Sequence, residues 1–445
     1  MMIDPEKEKR SLTALVEASL RQARLLGASE AEASAFSRQA LSARVRLGEP
    51  EEVRFHEDKG LSVTVYFGKR RGSASTSDFS PQALQRTVEM ASSLARHTAA
   101  DDAQGLADPA LLARDIPDLD LWHPWELGTE EALALAKKME AAAMEADPRI
   151  RNSEGAEVAS EADVAIYGNS HGFVGGYPST SHDWGVAVVA EDVSGMQQDA
   201  WYDVKRDWMD LEAAEEVGIK AGKRAAQKLG ARKLKTRSCP VIFEAPAAIS
   251  LIKHFVGAAS GGALYRKMSF LLDALGTQVF SPWVSIEENP HIPKALASSP
   301  FDAEGVATAP RMVVEEGILR GYFLSSYSAR KLGMQTTGNA GGAHNLRFLG
   351  PKRPLQEMLM EMKEGLFVTD LMGQGVNLTT GDYSRGASGF WVQGGEIAYP
   401  VEEITVAGNL RQMLTSLVAM ADDLVVRGAV QTGSLWLREA TVAGQ

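Results

Sequence analysis

The chain has 445 residues, more than one ordinary hydrophobic core organises, so two to four domains are expected. An apolar fraction of 44% with 8 Trp marks a globular protein rather than a disordered one. A formal net charge of −12 repels phosphate backbones, so nucleic acid is not an expected partner.

The start, MMIDPEKEKR, is charged and lacks the apolar segment of a secretory signal. Ser11 to Leu26 has helical periodicity, with Leu12, Leu15, Val16, Leu20 and Ala23 on one face. Residues 40–77 alternate as strands do, in ARVRL and LSVTVYF, and Gly60, Gly68 and Gly72 are read as turns. A second helix begins with Ser80 as cap and Pro81 in its first turn. After a link from about Thr98 to Glu126 the pattern repeats. Thr129 caps a helix to Ala146, and strands follow near residues 156–170, 181–192 and 194–206. A helix then runs from Asp210, its expected cap, to a stop at Gly230. Helix, three strands and helix used twice suggest an internal duplication. The basic stretch at 228–237 reads as a solvated helix end and linker, with a docking strip for an acidic peptide as the alternative.

The single cysteine, Cys239, permits neither an intrachain disulfide nor a multi-cysteine zinc site, and suits a reducing cytoplasm. No run reaches the roughly 18 apolar residues of a membrane span, so no membrane is expected. From here the chain is rich in glycine loops and short apolar strands. This half reads as an antiparallel, barrel-like domain with inserted helices. The fold class is therefore α+β, divided at 1–125, 126–235 and 236–445. In FWVQGGEIAY, Gly394-Gly395 supplies a tight hairpin turn. Asn409 opens a last long helix, Gln412 completes a box-like cap, and Leu410, Met413, Leu414, Leu417, Val418 and Leu424 line one face.

Chemistry-bearing residues are sparse. In EAPAAISLIKHFVGAASGG, Pro246 suits a first turn, and Ala248, Ile249, Ile252, Phe255, Val256 and Ala259 form a buried face. Ser250, His254 and Ala258 fall opposite, which turns His254 toward solvent, a cleft or a partner. One imidazole is not a catalytic zinc site, which needs about three protein ligands. His291 with Glu287, Glu288 and His344 would be a looser metal set without any spacing signal, and Pro290 and Pro293 make His291 part of a rigid loop. TTGNAGGAHN reads as an anion cradle or a turn cluster. In GDYSRGASGF, Tyr383, Ser384 and Arg385 lie between glycines, where the backbone can approach a ligand and an arginine can hold a carboxylate. An ordinary turn with a surface arginine is the alternative.

The run MGQGVNLTTGDYSRGASGFWVQGGEIAYPVEEITVAGNL resembles the TldE/PmbA subunit of the TldD/TldE metalloprotease family. GGALYRKMSFLLDALG, SPFDAEGVAT and the closing VAGQ carry the same likeness. The resemblance spans essentially the whole chain. It implies an N-terminal α/β part and a C-terminal barrel-like domain. It also implies cytoplasmic trimming of small unfolded peptides by a zinc-bearing TldD-type partner with a His-Glu-x-x-x-His helix. That motif falls here on Lys253 (first histidine), His254 (glutamate) and Ala258 (second histidine). Thr432 beside Gly433 stands where TldD-type subunits offer a cysteine ligand. The resemblance thus implies a non-catalytic partner subunit with no cofactor of its own. Asn377, Tyr383, Ser384, Arg385, His254 and His344 are the candidate contacts to partner or peptide, and a homodimer is expected when the partner is absent. Two other readings stay open: a hydrolase using its own ligands such as His291 and His344, and a regulatory binding module, as the family's older label of gyrase modulator suggests.

Overall fold

The computed structural model describes residues 3–444. The N-terminal half contains α1 (Pro5–Leu25), β1 (Glu30–Arg46), β2 (Glu49–Phe67), β3 (Arg70–Thr76) and α2 (Pro81–His97). After a long connection come α3 (Thr129–Glu145), β4 (Ile150–Asn169), β5 (Val174–Asp192), β6 (Gly195–Lys205) and α4 (Ala214–Gln227). The six strands form one antiparallel sheet in the order β3-β2-β1-β4-β5-β6. The two helix–strands–helix sets therefore meet at β1 and β4, across which Ala33 faces Gly168 and Ala43 faces Val158. Both helix pairs cover the same face of the sheet. Ala33 and Ala35 of β1 pack under α1 and α2, and Ala43 and Val45, an even number of residues on, pack under α3 and α4.

The C-terminal half begins with β7 (Arg237–Phe243), α5 (Ala245–Ala258), α6 (Gly261–Tyr265), β8 (Ser285–Glu288), β9 (Arg311–Glu315) and β10 (Ile318–Leu319). Next come α7 (Ser326–Leu332), β11 (Leu346–Leu349), β12 (Lys352–Arg353), α8 (Leu355–Met362), β13 (Glu364–Met372) and β14 (Val376–Asn377). The chain ends with β15 (Asp382–Gln393), β16 (Glu396–Asn409), α9 (Leu410–Thr415), β17 (Leu417–Ala421), β18 (Val425–Val426), β19 (Val430–Thr432) and β20 (Leu435–Ala443). Strands β7, β13, β15, β16 and β20 close on themselves as a five-stranded barrel. Its pairs are antiparallel except β7 with β13, which run parallel. A second sheet has the order β10-β9-β8-β11-β19-β18.

Alternation sorts the barrel residues. Val241, Phe243, Leu366 and Val368 join the large core on one side, while Ile242, Phe367, Phe390 and Trp436 face α8 on the other. Helix α5 lies in the large core between barrel and second sheet. Leu251, Ile252 and Phe255 are fully buried there, with Phe255 edge-on to Phe280 at 4.9 Å. Each such side chain contributes about 1.5–3 kcal/mol.

Several sequence expectations are corrected. Gly60 and Gly72 lie inside β2 and β3, not in turns; a Cβ at Gly60 would stand 2.5 Å from the Phe36 ring, and one at Gly72 2.2 Å from the Ala91 carbonyl oxygen of α2. Gly128, not Thr129, is the N-cap of α3, and Ala213, not Asp210, that of α4; Asp210 ends a short 3-10 turn. The basic strip is not simply solvated, since Lys228 is buried against Asp199 at 2.9 Å and also bonds Asp370. The last helix stops at Thr415, because Leu417–Ala421 pairs with β20 instead. Asn409 does cap α9, accepting from the Arg411 N–H, without a contribution from Gln412. Ser80 and the hairpin turn at Gly394-Gly395, with φ of 65° and 86°, stand as read.

Candidate functional site

The helix that the sequence singles out, α5, carries its polar residues beside β15. In GDYSRGASGF only Gly381 belongs to a turn; from Asp382 on the stretch is strand, paired with β13 and β16. Alternation along β15 sends Tyr383 inward, where it is 1% exposed, and leaves Ser384 exposed. Arg385 is half-buried and ties three elements together. It donates through Nη1 to Ser250 Oγ of α5 at 2.7 Å and through Nη2 to the Leu371 carbonyl of β13 at 3.1 Å. It is therefore not a free surface arginine.

His254 lies edge-on to Tyr383, with ring centroids 6.0 Å apart. It is half-buried rather than solvent-facing, and the fully buried positions of α5 include Leu251 and Ala258, which the helical wheel places off the apolar face. The reason is that barrel and second sheet enclose the helix from two sides. Burial lowers the pKa of His254, and the Arg385 charge lowers it further. The ring is thus neutral near pH 7. Burial raises the Tyr383 hydroxyl to about 12, against the pull of Arg385. Both polar tips, His254 Nε2 and Tyr383 Oη, are buried without a hydrogen-bond partner, as is Arg385 Nε. Unpaired buried donors and acceptors cost about 1–3 kcal/mol each, so this is an under-satisfied cluster.

The other candidates lie apart from it or serve turns. Asn377 Oδ1 accepts from the Thr379 N–H at 2.9 Å and caps the turn into β15. His344 is buried in the loop before β11, beside the second sheet, where its backbone N–H and Nδ1–H donate to Glu288 Oε1 at 2.8 and 3.1 Å. Arg311 Nε donates to the other oxygen, Glu288 Oε2, at 2.7 Å, and Asn339 Nδ2 donates to Oε1 at 2.7 Å. Burial pushes the Glu288 carboxyl up, but His344 and Arg311 outweigh it and hold it below the usual carboxylate range. Glu287 faces the other way, toward Arg347 at 3.1 Å, and His291 Nε2 meets Thr308 Oγ1 at 3.0 Å. Glu288 is thus committed to a cation and three further donors, and the loop TTGNAGGAHN is pinned to it through Asn339 and His344. Arg311, in the plain stretch APRMVVEEG, gave no sequence signal for this role.

Three adjoining models of PmbA/TldA metallopeptidase domains match the chain: domain 1 over residues 31–95, the central domain over 122–229 and the C-terminal domain over 236–444. The chain belongs to the PmbA/TldD metallopeptidase family. It is 49% identical to the metalloprotease PmbA of Escherichia coli O157:H7 over 93% of this chain and 92% of that one. A crystal structure from Bacteroides thetaiotaomicron, described as a candidate modulator of DNA gyrase, matches at a TM-score of 0.92 and 27% identity over 100% of both chains. TldE of Thermococcus kodakarensis matches at 0.85 over 96% of this chain and 99% of that one; at 21% identity the likeness is one of fold.

A PmbA/TldD metallopeptidase invites a test of α5 against zinc. Zinc takes three or four N, S or O ligands at about 2.0–2.3 Å. Lys253, His254 and Ala258 offer an exposed ammonium, one imidazole and a fully buried methyl. Strand β19 packs against α5, but its Thr432 is buried with its hydroxyl turned to the Gly433 carbonyl at 3.1 Å. Among the described residues no three of His, Cys, Asp or Glu gather as a metal requires. The donors present at these positions of α5 and β19 do not fit zinc. None of the helices of the described chain is long and apolar enough to cross a membrane.

Proposed function

We propose that this chain is the PmbA/TldE-type subunit of a two-component cytoplasmic metalloprotease acting on small unfolded peptides. The zinc belongs to a TldD-type partner, and this chain completes the substrate chamber. One observation carries the reading: the α5 window from Lys253 to Ala258 keeps its packing residues and offers a single imidazole, with no carboxylate and no second ligand. A helix that is well packed while its polar positions offer Lys and Ala instead of ligands suits a scaffold subunit. The likeness in fold to a protein named TldE points the same way. We infer that the peptide- or partner-facing surface includes the side of α5 where exposed Lys253 adjoins half-buried His254, and the exposed Ser384 of β15. Alone, the chain is expected to self-associate as a homodimer.

The test is metal analysis of the purified chain joined to a mixing assay. Expected are far less than one zinc per chain, no cleavage of an unfolded peptide by the chain alone, and cleavage on adding a TldD-type subunit. Stoichiometric zinc, or chelator-sensitive cleavage by the chain alone, would overturn the reading.

A further inference from the structure

A cavity of about 690 Å³ opens between two parts of the molecule. One wall is β6 and α4 of the N-terminal sheet. The other is the start of α5 with residues 423–427. Its apolar surface comes from Trp201, Pro246, Leu424, Val425 and Val426.

Most charges on the walls are already paired; Lys223 is a further wall cation, on a flexible stem and without an aromatic contact that fixes it. Arg224 donates to both oxygens of Glu244, at 2.6 and 2.9 Å, and through Nε to Asp199 at 3.1 Å. Lys205 pairs with Asp203, and Lys220 with Glu212. Asp423 accepts from the N–H and hydroxyl of Ser434 at 2.7 and 2.6 Å. Arg427 differs. Its guanidinium carbon lies 4.0 Å from the Trp201 ring centroid and 4.1 Å from that of Tyr202. Those contacts use the π faces of the rings and fix the side chain in place. The Tyr202 hydroxyl also lies within reach of the guanidinium, but no carboxylate pairs with its N–H fork. Asp203, the acidic residue whose charge reaches Arg427, is held by Lys205 and by the Glu212 N–H at 2.9 Å.

A half-buried guanidinium positioned by two rings, facing an apolar-walled cavity and lacking an anion of its own, is built to receive one. The walls also carry Asp203, Glu212, Glu244 and Asp423. Against them stand Lys205, Lys220, Lys223, Arg224 and Arg427, so the wall carries one net positive charge, which suits a single negative charge better than a doubly charged phosphate. We propose that the cavity binds the C-terminal carboxylate of a short peptide. Arg427 holds the carboxylate in bidentate fashion, and the terminal side chain lies against Pro246, Leu424 and Val425. That the ligand is a peptide rests on the function proposed above; that it is a carboxylate rests on Arg427.

The experiment is calorimetric titration of the isolated full chain with an acetylated Ala-Ala-Leu tripeptide, as the free acid and as its C-terminal amide. The acid should bind about tenfold or more tightly than the amide, the loss expected when one charge-assisted fork is removed. Arg427→Met should abolish that preference, and Arg427→Lys, which keeps the charge without the fork, should retain part of it. Thermal melts of both variants establish that they fold. Equal binding of acid and amide, binding of neither, or a preference that survives Arg427→Met would each overturn the proposal. No metal or second subunit enters this titration. An acid preference without any activation on mixing would leave this site standing and remove the subunit reading; the converse result would do the opposite.

Discussion

His254 and His344 both sit in the C-terminal half, each beside a buried polar neighbour, yet their surroundings are opposite. Around His344 the accounting closes: one carboxylate, one guanidinium, one amide and one imidazole satisfy each other at 2.7–3.1 Å. Around His254 it does not: an imidazole nitrogen, a phenol and an arginine Nε are enclosed without a well-formed hydrogen bond, although the Arg385 guanidinium lies close to the Tyr383 hydroxyl. A closed network is what a fold uses to hold a loop. An open one costs stability and survives where something else, such as a partner chain or a substrate, completes it. The difference is the reason to look for function at α5 and β15 rather than at the more histidine- and glutamate-rich second sheet.

The comparison breaks most easily at Glu288. Glu288→Ala would leave Arg311 and the His344 donors unpaired inside the second sheet. A loss of about 3–5 kcal/mol is expected in urea unfolding. The sign with pH follows from the lowered pKa of Glu288. Its contribution is complete above about pH 4.5, the unfolded value, and drains away as pH falls through the folded one. A loss below about 1 kcal/mol would mean that the cluster is not the structural clamp described.

The sequence carried much of this architecture. Period-two alternation revealed the long strands, and Ser80 and Gly394-Gly395 marked their cap and turn by local chemistry alone. What it hid was set by distant contacts. The first part of β15, up to the hairpin at Phe390, reads as a loop because GASG has little strand propensity, but Gly389 is needed where a Cβ would lie 2.0 Å from the Phe367 carbonyl oxygen. The apparent long helix after Asn409 yields to pairing of Leu417 with Leu437 in β20. At the candidate site, the bare ligand positions of α5 were legible as residue types. The meeting of His254 with Tyr383 was not, since it joins residues far apart in the chain. Neither Arg311 nor Arg427 stands in any motif, so their partners, or lack of them, appear only in three dimensions.

A smaller effect sharpens the α5 side. Arg385→Ala removes the donors to Ser250 and Leu371 and should cost about 1–3 kcal/mol. It should also raise the pKa of His254, because burial is then the main remaining cause lowering it. Below about pH 6.5 the unfolded chain takes up a proton that folded His254 resists, so stability falls as pH drops toward the folded value. In the variant that slope should be shallower. An NMR titration of the His254 ring reads the shift directly; a value unmoved by the substitution would show that Arg385 does not act on it.

The smallest expected effect is the most discriminating. Tyr383→Phe removes a buried hydroxyl that makes no well-formed hydrogen bond and has only the nearby Arg385 guanidinium for company, and keeps the ring edge-on to His254. Relieving an unmade hydrogen bond should leave stability unchanged or raise it by about 1 kcal/mol or less. If the hydroxyl instead serves the assembled protease, peptide cleavage by the mixed subunits should fall while the melting curve of the isolated chain stays in place. Thermal unfolding and the mixing assay, run on one preparation, separate the two. A drop in stability would show the hydroxyl to be held within the folded chain after all, and would erase the contrast with the satisfied cluster at His344.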